Sequence, residues 1–243
     1  MDKWIAGWAA LVDLLAPEAC GGCGTSGTSW CVACAGTVGA PWRVGRGSGT
    51  HGPGASAAAP LASAVFAAGR YRGPLRTALL AYKERGRRDL ATPLARLLTV
   101  PLAAARAALP VPVRSPRGAP LRLVPAPSRP AAAHGRGGDH VLRLCRLLAA
   151  RDPTLQVVAA LRLARRTRDS VGLDATQRRA NLAGRLRLCA ARLPPPCAQV
   201  VLVDDVVTSG ATLAACTAVL AERGVRVAAA VVLCDATTGS LYR

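Results

Sequence analysis

Two groups of residues in this chain have the types and spacing to do chemistry. The first is VVLVDDVVTSGATL, Val200 to Leu213, where aliphatic residues run into two adjacent carboxylates and then into small and hydroxylated residues. Ligands of parallel sheets bind beyond the carboxyl ends of strands, so Asp204 and Asp205 are expected at the solvent-facing end of a strand Val200–Val203. Like charges that close repel, so their compensation is expected from outside the chain, and neutralising both is expected to leave the fold intact. Gly210 permits a tight turn through Thr208, Ser209, Gly210, Ala211 and Thr212. Backbone N–H groups and the hydroxyls of Thr208, Ser209 and Thr212 then converge where a helix begins, which makes a phosphate cradle. Carboxylates beside such a cradle suit a sugar phosphate: they accept hydrogen bonds from vicinal ribose hydroxyls, and Mg2+ offsets their charge. The competing reading is a carboxylate pair capping a helix among ordinary turn residues. The order of aliphatics, carboxylates and T-S-G-A-T favours the sugar phosphate.

The second group is Cys20, Cys23, Cys31 and Cys34, spelling C-x2-C-x7-C-x2-C. Two such knuckles can place four thiolates tetrahedrally around one zinc ion, and Gly21, Gly22 and Gly24 allow the turns this needs. Four protein ligands leave no open position, so the metal would be structural and would fold a small module. A redox CxxC opens a helix in a βαβ context, which is missing around these residues. Cys145, Cys189, Cys197, Cys216 and Cys234 are isolated and are expected to be ordinary core or surface residues. His51, His134 and His140 are too scattered for a triad or a metal site, and a surface or loop position is expected for each.

The elements that must hold these groups follow from the apolar pattern. Strands are predicted at Ala64–Ala68, Leu121–Val124, Gln156–Ala160, Val200–Val203 and Arg226–Leu233. Helices are predicted at Leu75–Arg85, Leu90–Ala105, Val141–Ala150 and Thr212–Arg223, the last ended by Gly224. Such alternation implies crossover connections and a parallel sheet flanked by helices, an α/β fold. Residues 1–35 read as an amphipathic helix plus the cysteine module. Trp4, Ile5, Trp8, Leu11, Val12 and Leu15 share one face of that helix. Residues 36–60, rich in Gly, Pro, Ser and Ala without periodicity, read as a flexible linker, and 61–243 as the α/β domain.

The formal charge is +19, from 32 basic and 13 acidic residues, and only Lys3 and Lys83 are lysines. An Arg-biased surface of genomic origin and a polyanion partner both account for this, with the arginine runs Arg162–Arg168 and Arg178–Arg187 favouring anion binding. No apolar run approaches the roughly 20 residues a membrane span needs. Asp2 and Asp13 spoil a signal peptide, so a cytoplasmic location is expected.

The stretch Val200–Leu213 resembles the phosphoribosyl-pyrophosphate (PRPP) motif of type I phosphoribosyltransferases. That resemblance implies Asp204 and Asp205 facing the ribose hydroxyls and Thr208 to Thr212 holding the 5-phosphate. The 6-oxopurine enzymes of that group carry an acidic general base where Thr208 stands, which argues against hypoxanthine–guanine salvage. Three further segments are similar to the ComF family, proteins associated with DNA uptake in competent bacteria. They are YRGPLRTALLAYKERGRRDL from Tyr71, LVPAPSRPAAAHGRGGDH from Leu123, and RTRDSVGLDATQRRANLAGRL from Arg166. ComF proteins also carry an N-terminal four-cysteine module. The resemblance implies that Ser128 and Arg129 approach the pyrophosphate, and it names PRPP, single-stranded DNA and a DNA-uptake helicase as partners. The chain departs from the family at Gly137-Gly138-Asp139-His140, where ComF proteins read Gly-Phe-Asn-Gln, and at Ser170, where they carry Gln.

Three functions remain open on the sequence. One is a Mg2+-dependent transferase that moves phosphoribosyl to an unknown acceptor. Another is a non-catalytic nucleic-acid-handling protein of DNA uptake that retains a PRPP-type site. The third is a thiol redox protein, which stoichiometric zinc at Cys20–Cys34 would exclude.

Overall fold

A computed structural model describes residues 19–44, 64–109, 119–128, 138–164, 185–195 and 198–237. The amphipathic stretch 1–18, Arg129 and most of the arginine-rich run 162–187 lie outside these residues. In chain order the elements are α1 (Val32–Gly36), β1 (Trp42–Arg43), β2 (Val65–Arg70), α2 (Gly73–Glu84), α3 (Ala91–Leu97) and α4 (Thr99–Ala107). They continue with β3 (Leu121–Pro125), α5 (His140–Ala149), β4 (Leu155–Val157), β5 (Leu161–Leu163), β6 (Leu186–Leu188), β7 (Val200–Val207), α6 (Ala211–Ala221) and β8 (Val227–Asp235).

Six strands form one sheet in the order β1-β2-β8-β7-β3-β4, while β5 and β6 pair antiparallel on their own. Only β1 runs against its neighbour; the other pairings in the large sheet are parallel. The central strands read as continuous aliphatic runs because both faces are covered. Val201, Val203, Ala229 and Val231 pack under α2–α5. Val200, Leu202, Ala230 and Val232 pack on the other face against Leu213, Cys216 and Leu220 of α6 and against Leu161, Leu163 and Leu186. The α/β fold expected from the alternating pattern, a parallel sheet flanked by helices with a small N-terminal cysteine module, is the fold observed. Among the described residues no helix is long and apolar enough to cross a membrane.

Several boundaries differ from the pattern, each for a physical reason. The single helix expected over Leu90–Ala105 is split at Leu98 into α3 and α4. Pro93 and Pro101 each sit in a first turn, where the missing N–H costs nothing, and Pro101 cannot continue a helix from Leu97. Strand β7 runs to Val207 rather than stopping at Val203, because its pairing continues through Asp204 with Val232 and Val206 with Cys234. The first part of the expected linker 36–60 belongs to the sheet. Trp42 and Arg43 pair with Ala67 and Phe66, and the Trp42 indole N–H donates to Asp235 Oδ2 at 3.2 Å. Strands β5 and β6, three residues each, are too short to give a period-2 signal.

The cysteine module is fixed to the helical layer rather than strung beside it. Arg87 Nη2 donates to the Ala19 carbonyl at 2.6 Å and to Asp89 Oδ2 at 2.7 Å. A Cβ on Gly22 would lie 2.7 Å from Cys34 Sγ and 2.8 Å from Pro74 Cβ, so backbone passes where no side chain fits. Gly22→Ala should therefore cost about 1–3 kcal/mol, read as a lower thermal midpoint, because neither neighbour can yield without moving α2 or the cluster.

Candidate functional site

Strands β3 and β7 are parallel neighbours, with Pro125 opposite Val203. The connection leaving β3 enters α5 on one face of the sheet, and the connection leaving β7 enters α6 on the other. Connections that diverge to opposite faces leave a crevice at the carboxyl ends of the two strands. Ser128 lies just beyond the end of β3, and Asp204 and the Thr208–Gly210 turn lie at and beyond the end of β7.

The two adjacent carboxylates have unlike surroundings. Successive strand residues point to opposite faces, and Asp205 continues the Val201–Val203 side toward α2 and α5. It is buried, with 7% exposure. Lys83 Nζ of α2 lies 2.6 Å from Asp205 Oδ2, and His140 Nε2 at the start of α5 is hydrogen-bonded to the same oxygen. Burial pushes the Asp205 carboxyl up, but the His140 hydrogen bond and the Lys83 charge outweigh it and hold the group well below the ordinary carboxylate value. Asp204 is partly buried, and its charge acts on Cys216 of α6, on the other side of the sheet. The only hydrogen bond to its carboxylate among the described residues is from the Asp205 N–H to Oδ1, at 2.8 Å. Burial, followed by the Asp205 charge, raises the Asp204 carboxyl to about 8. The expected pair of solvent-facing carboxylates compensated from outside is thus corrected: Asp205 is neutralised within the chain, and Asp204 is the carboxylate left to the crevice.

His140 is also corrected. It is buried at the first position of α5, not on the surface, and Ser128 Oγ lies 2.9 Å from its Nδ1. Tyr82 Oη donates to the His140 carbonyl at 2.9 Å. Asp139 caps α5, with Oδ1 accepting from the Val141 and Leu142 N–H groups and Oδ2 accepting from the Ser128 N–H at 2.9 Å. The stretch 139–140 that departs from the ComF pattern therefore ties the Ser128 loop to β7. Lys83, His140, Asp139 and Tyr82 were not singled out as site residues in the sequence. One signal was available: Lys83 is one of only two lysines in a chain with 32 basic residues.

Beyond β7, Thr208 and Ser209 are exposed and Gly210 turns the chain with φ 72°. Gly210 is the N-cap of α6 and supplies no side-chain cap, so the first N–H groups of the helix have no intrahelical partner. Ala211 and Thr212 form its first turn. Helix N-termini in general favour anions.

The four cysteines converge as their spacing predicts, with all four Sγ atoms within 4.8 Å of one another. Cys20 and Cys34 Sγ are 3.7 Å apart, and Cys23 and Cys31 Sγ are 3.6 Å apart. A tetrahedral Zn–S bond of about 2.3 Å requires S–S separations near 3.8 Å, so the set can hold zinc. The Cys31 N–H points at Cys20 Sγ and the Cys34 N–H at Cys31 Sγ, each at 3.4 Å, which favours thiolates. Burial raises the Cys20 thiol, but backbone N–H groups of Cys23, Cys31 and Gly22 outweigh it and lower the group to about 6. Burial and the neighbouring sulfurs push Cys34 up, the conflict that one shared cation relieves. Of the other cysteines, Cys145, Cys216 and Cys234 are buried core residues and Cys189 is half-buried.

No protein-family model and no curated protein matches the chain. Among solved structures it is similar to a hypoxanthine phosphoribosyltransferase of Trypanosoma cruzi, studied for the role of its C-terminal region in oligomeric state and activity. The identity is 18%, over 63% of this chain and 66% of that one, with a TM-score of 0.33. A mutant of the same enzyme complexed with the product IMP shows 18% identity over 61% and 65% of the two chains, with a TM-score of 0.34. An HPRT whose invariant aspartic acid is replaced by glutamic acid shows 18% over 63% and 69%, with a TM-score of 0.32. The matched region thus spans about two thirds of those enzymes.

The asymmetry of the carboxylates predicts opposite outcomes for two conservative changes. Asp205→Asn leaves Lys83 and His140 without their anion. It should destabilise by about 2–4 kcal/mol, discounted from the value for a fully buried pair because Lys83 is partly exposed. Asp204→Asn should raise stability at pH 7, because it removes a carboxyl that the folded chain must protonate there, and should change the pH profile. Between 3.8 and about 8 the folded chain holds a proton on Asp204 that the unfolded chain has lost, so stability falls as pH rises through that window. Asp205 acts with the opposite sign, and its contribution is lost on acidification below its ordinary value. Denaturant midpoints measured from pH 3 to 9 should lose the alkaline decline in Asp204→Asn and keep the acid arm. Separately, metal analysis should find one zinc per chain, and chelation should lower the thermal midpoint.

Proposed function

We propose that this chain is a ComF-like PRPP- and Mg2+-binding protein that transfers phosphoribosyl to an acceptor. What supports the reading is that the connections after β3 and β7 leave to opposite faces of the sheet, with Ser128 just beyond the first strand and the glycine turn into α6 just beyond the second. In this reading the 5-phosphate lies against Thr208, Ser209, Gly210, Ala211 and Thr212, where backbone N–H groups and the helix dipole favour an anion. Asp204 accepts hydrogen bonds from the vicinal ribose hydroxyls. Asp205 acts through Lys83 and His140 and sets the position of the strand end. Ser128 and Arg129 face the pyrophosphate.

The reaction breaks the C1–O bond to pyrophosphate and forms a bond from the acceptor to C1, through an oxocarbenium-like transition state. Arg129 offsets the leaving charge, and the crevice orients the acceptor and excludes water. Mg2+ would supply neutralisation of the diphosphate, and Asp204, with Oδ2 unengaged among the described residues, is the side chain fitted to hold it. Zinc at Cys20, Cys23, Cys31 and Cys34 would be structural. Hypoxanthine is not carried over from the structural neighbours.

A second reading, a DNA-uptake role in the cytoplasm with single-stranded DNA and a helicase as partners, is favoured by the net charge of +19. In that reading the PRPP-type site is retained without catalysis. Oligonucleotide affinity that falls steeply with salt supports it, and undetectable binding sinks it.

Calorimetric titration with PRPP and Mg2+ tests the first reading. The parent chain should bind, and Asp204→Asn should weaken affinity roughly ten- to a hundredfold, the cost of one charge-assisted hydrogen bond. Absence of binding by the folded, zinc-loaded parent chain overturns the reading. Pyrophosphate release with a panel of nucleobases then separates a transferase from a binding protein.

A further inference from the structure

A cavity of about 440 Å3 opens between α3, α4 and α5 at the edge of the sheet opposite the crevice. It lies beside the end of α5, at Leu147, Leu148 and Arg151, and the beginning of β4, at Leu155. Its floor is aliphatic, built from Ala95, Leu102, Ala103 and those three leucines. Thr99, Leu102, Ala103, Arg106 and Ala107 form one continuous face of α4, spaced as a helix spaces the side it turns to a neighbour. The rim carries Arg96, Arg106 and Arg151, and Arg106 is tied only at the surface, to Asp152 at 3.8 Å and Thr154 at 2.8 Å. An apolar helical face of this kind normally receives another helix.

The first 18 residues have the complementary composition. Trp4, Ile5, Trp8, Leu11, Val12 and Leu15 fall on one helical face, and each indole offers about 150–250 Å2 to bury. Asp2, Asp13 and Glu18 against Lys3 make the stretch net acidic in a chain that is net +19, which suits a rim of arginines. The stretch also ends beside the groove. Ala19 is held by Arg87, Gly21 faces Leu90, and Leu90 directly precedes α3, whose Thr92 lines the cavity. From Trp4 to Leu15 a helix advances about 16 Å, against about 12 Å from Thr99 to Ala107.

We propose that residues 1–18 dock as a helix into this groove of their own chain, burying the Trp4–Trp8–Leu11–Leu15 face against α4 and completing the α3–α4–α5 layer.

The test uses the full chain and two single variants, Trp8→Asp on the segment and Ala103→Glu in the groove. Ala103 is exposed among the described residues, so Ala103→Glu keeps the fold and decides the matter even where Trp8→Asp aggregates. Amide exchange in residues 99–107 and proteinase K cleavage within residues 1–18 are measured together. Docking predicts slow exchange and slow cleavage in the parent, with both rates rising about tenfold or more in either variant. Equal rates in all three proteins overturn the proposal. A change in α4 exchange with Ala103→Glu but none with Trp8→Asp assigns the groove to another occupant and overturns it as well. Protection that disappears on roughly hundredfold dilution identifies a second copy as the occupant, with the same consequence.

Discussion

A single buried carboxylate organises the centre of this molecule. Asp205 stands on β7, the strand between β8 and β3, and its oxygen is shared by Lys83 from α2 and His140 from α5. Three elements far apart in sequence are joined at one atom. An anion at such a site is tolerable only while its partners are in place, and the partners are tolerable only while the anion is. The same contact extends through His140 to Ser128 and through the Asp139 cap to the Ser128 backbone, so the chain leaving β3 is held by the groups that surround Asp205. The ion pair costs the protein desolvation and returns a fixed geometry where β3 and β7 part.

The adjacent carboxylates therefore divide two tasks that a sequence motif presents as one. Strand alternation turns Asp205 inward and leaves Asp204 on the opposite face. Asp204 retains its proton to an unusually high pH because it is buried and stands beside the Asp205 charge. A bound cation or a set of ribose hydroxyls would change that balance, whereas Asp205 is already satisfied without any ligand.

The α/β fold was legible because buried parallel strands announce themselves as aliphatic runs, and the cysteine module because C-x2-C spacing is dictated by coordination geometry. The crevice was legible for the same local reason: Val200–Leu213 is strand, turn and helix in one unbroken segment. What escaped the sequence was whatever depends on contacts between distant segments. His140 looked like a loop residue because its partner on β7 is 65 positions away. Asp139 stands out in the sequence only as a departure from the family pattern, yet it caps α5. Trp42, the anchor of the edge strand, sits within a Gly- and Pro-rich run whose composition hides it.

The position of β2 has a consequence for how the chain reaches this structure. The first long strand of the sheet pairs in parallel with the last, Val65 against Ala230 and Arg70 against Asp235. The sheet cannot close around its centre until Val227–Asp235 has been made, and β2 must wait beside an empty flank until then. Parallel pairing over such a span carries a high contact order, so closure is expected to be the slow event of folding. An aliphatic strand exposed for that interval is an invitation to self-association. The antiparallel edge formed by Trp42 and Arg43 is local in sequence and can cover the outer side of β2 early, leaving only the inner side to await β8.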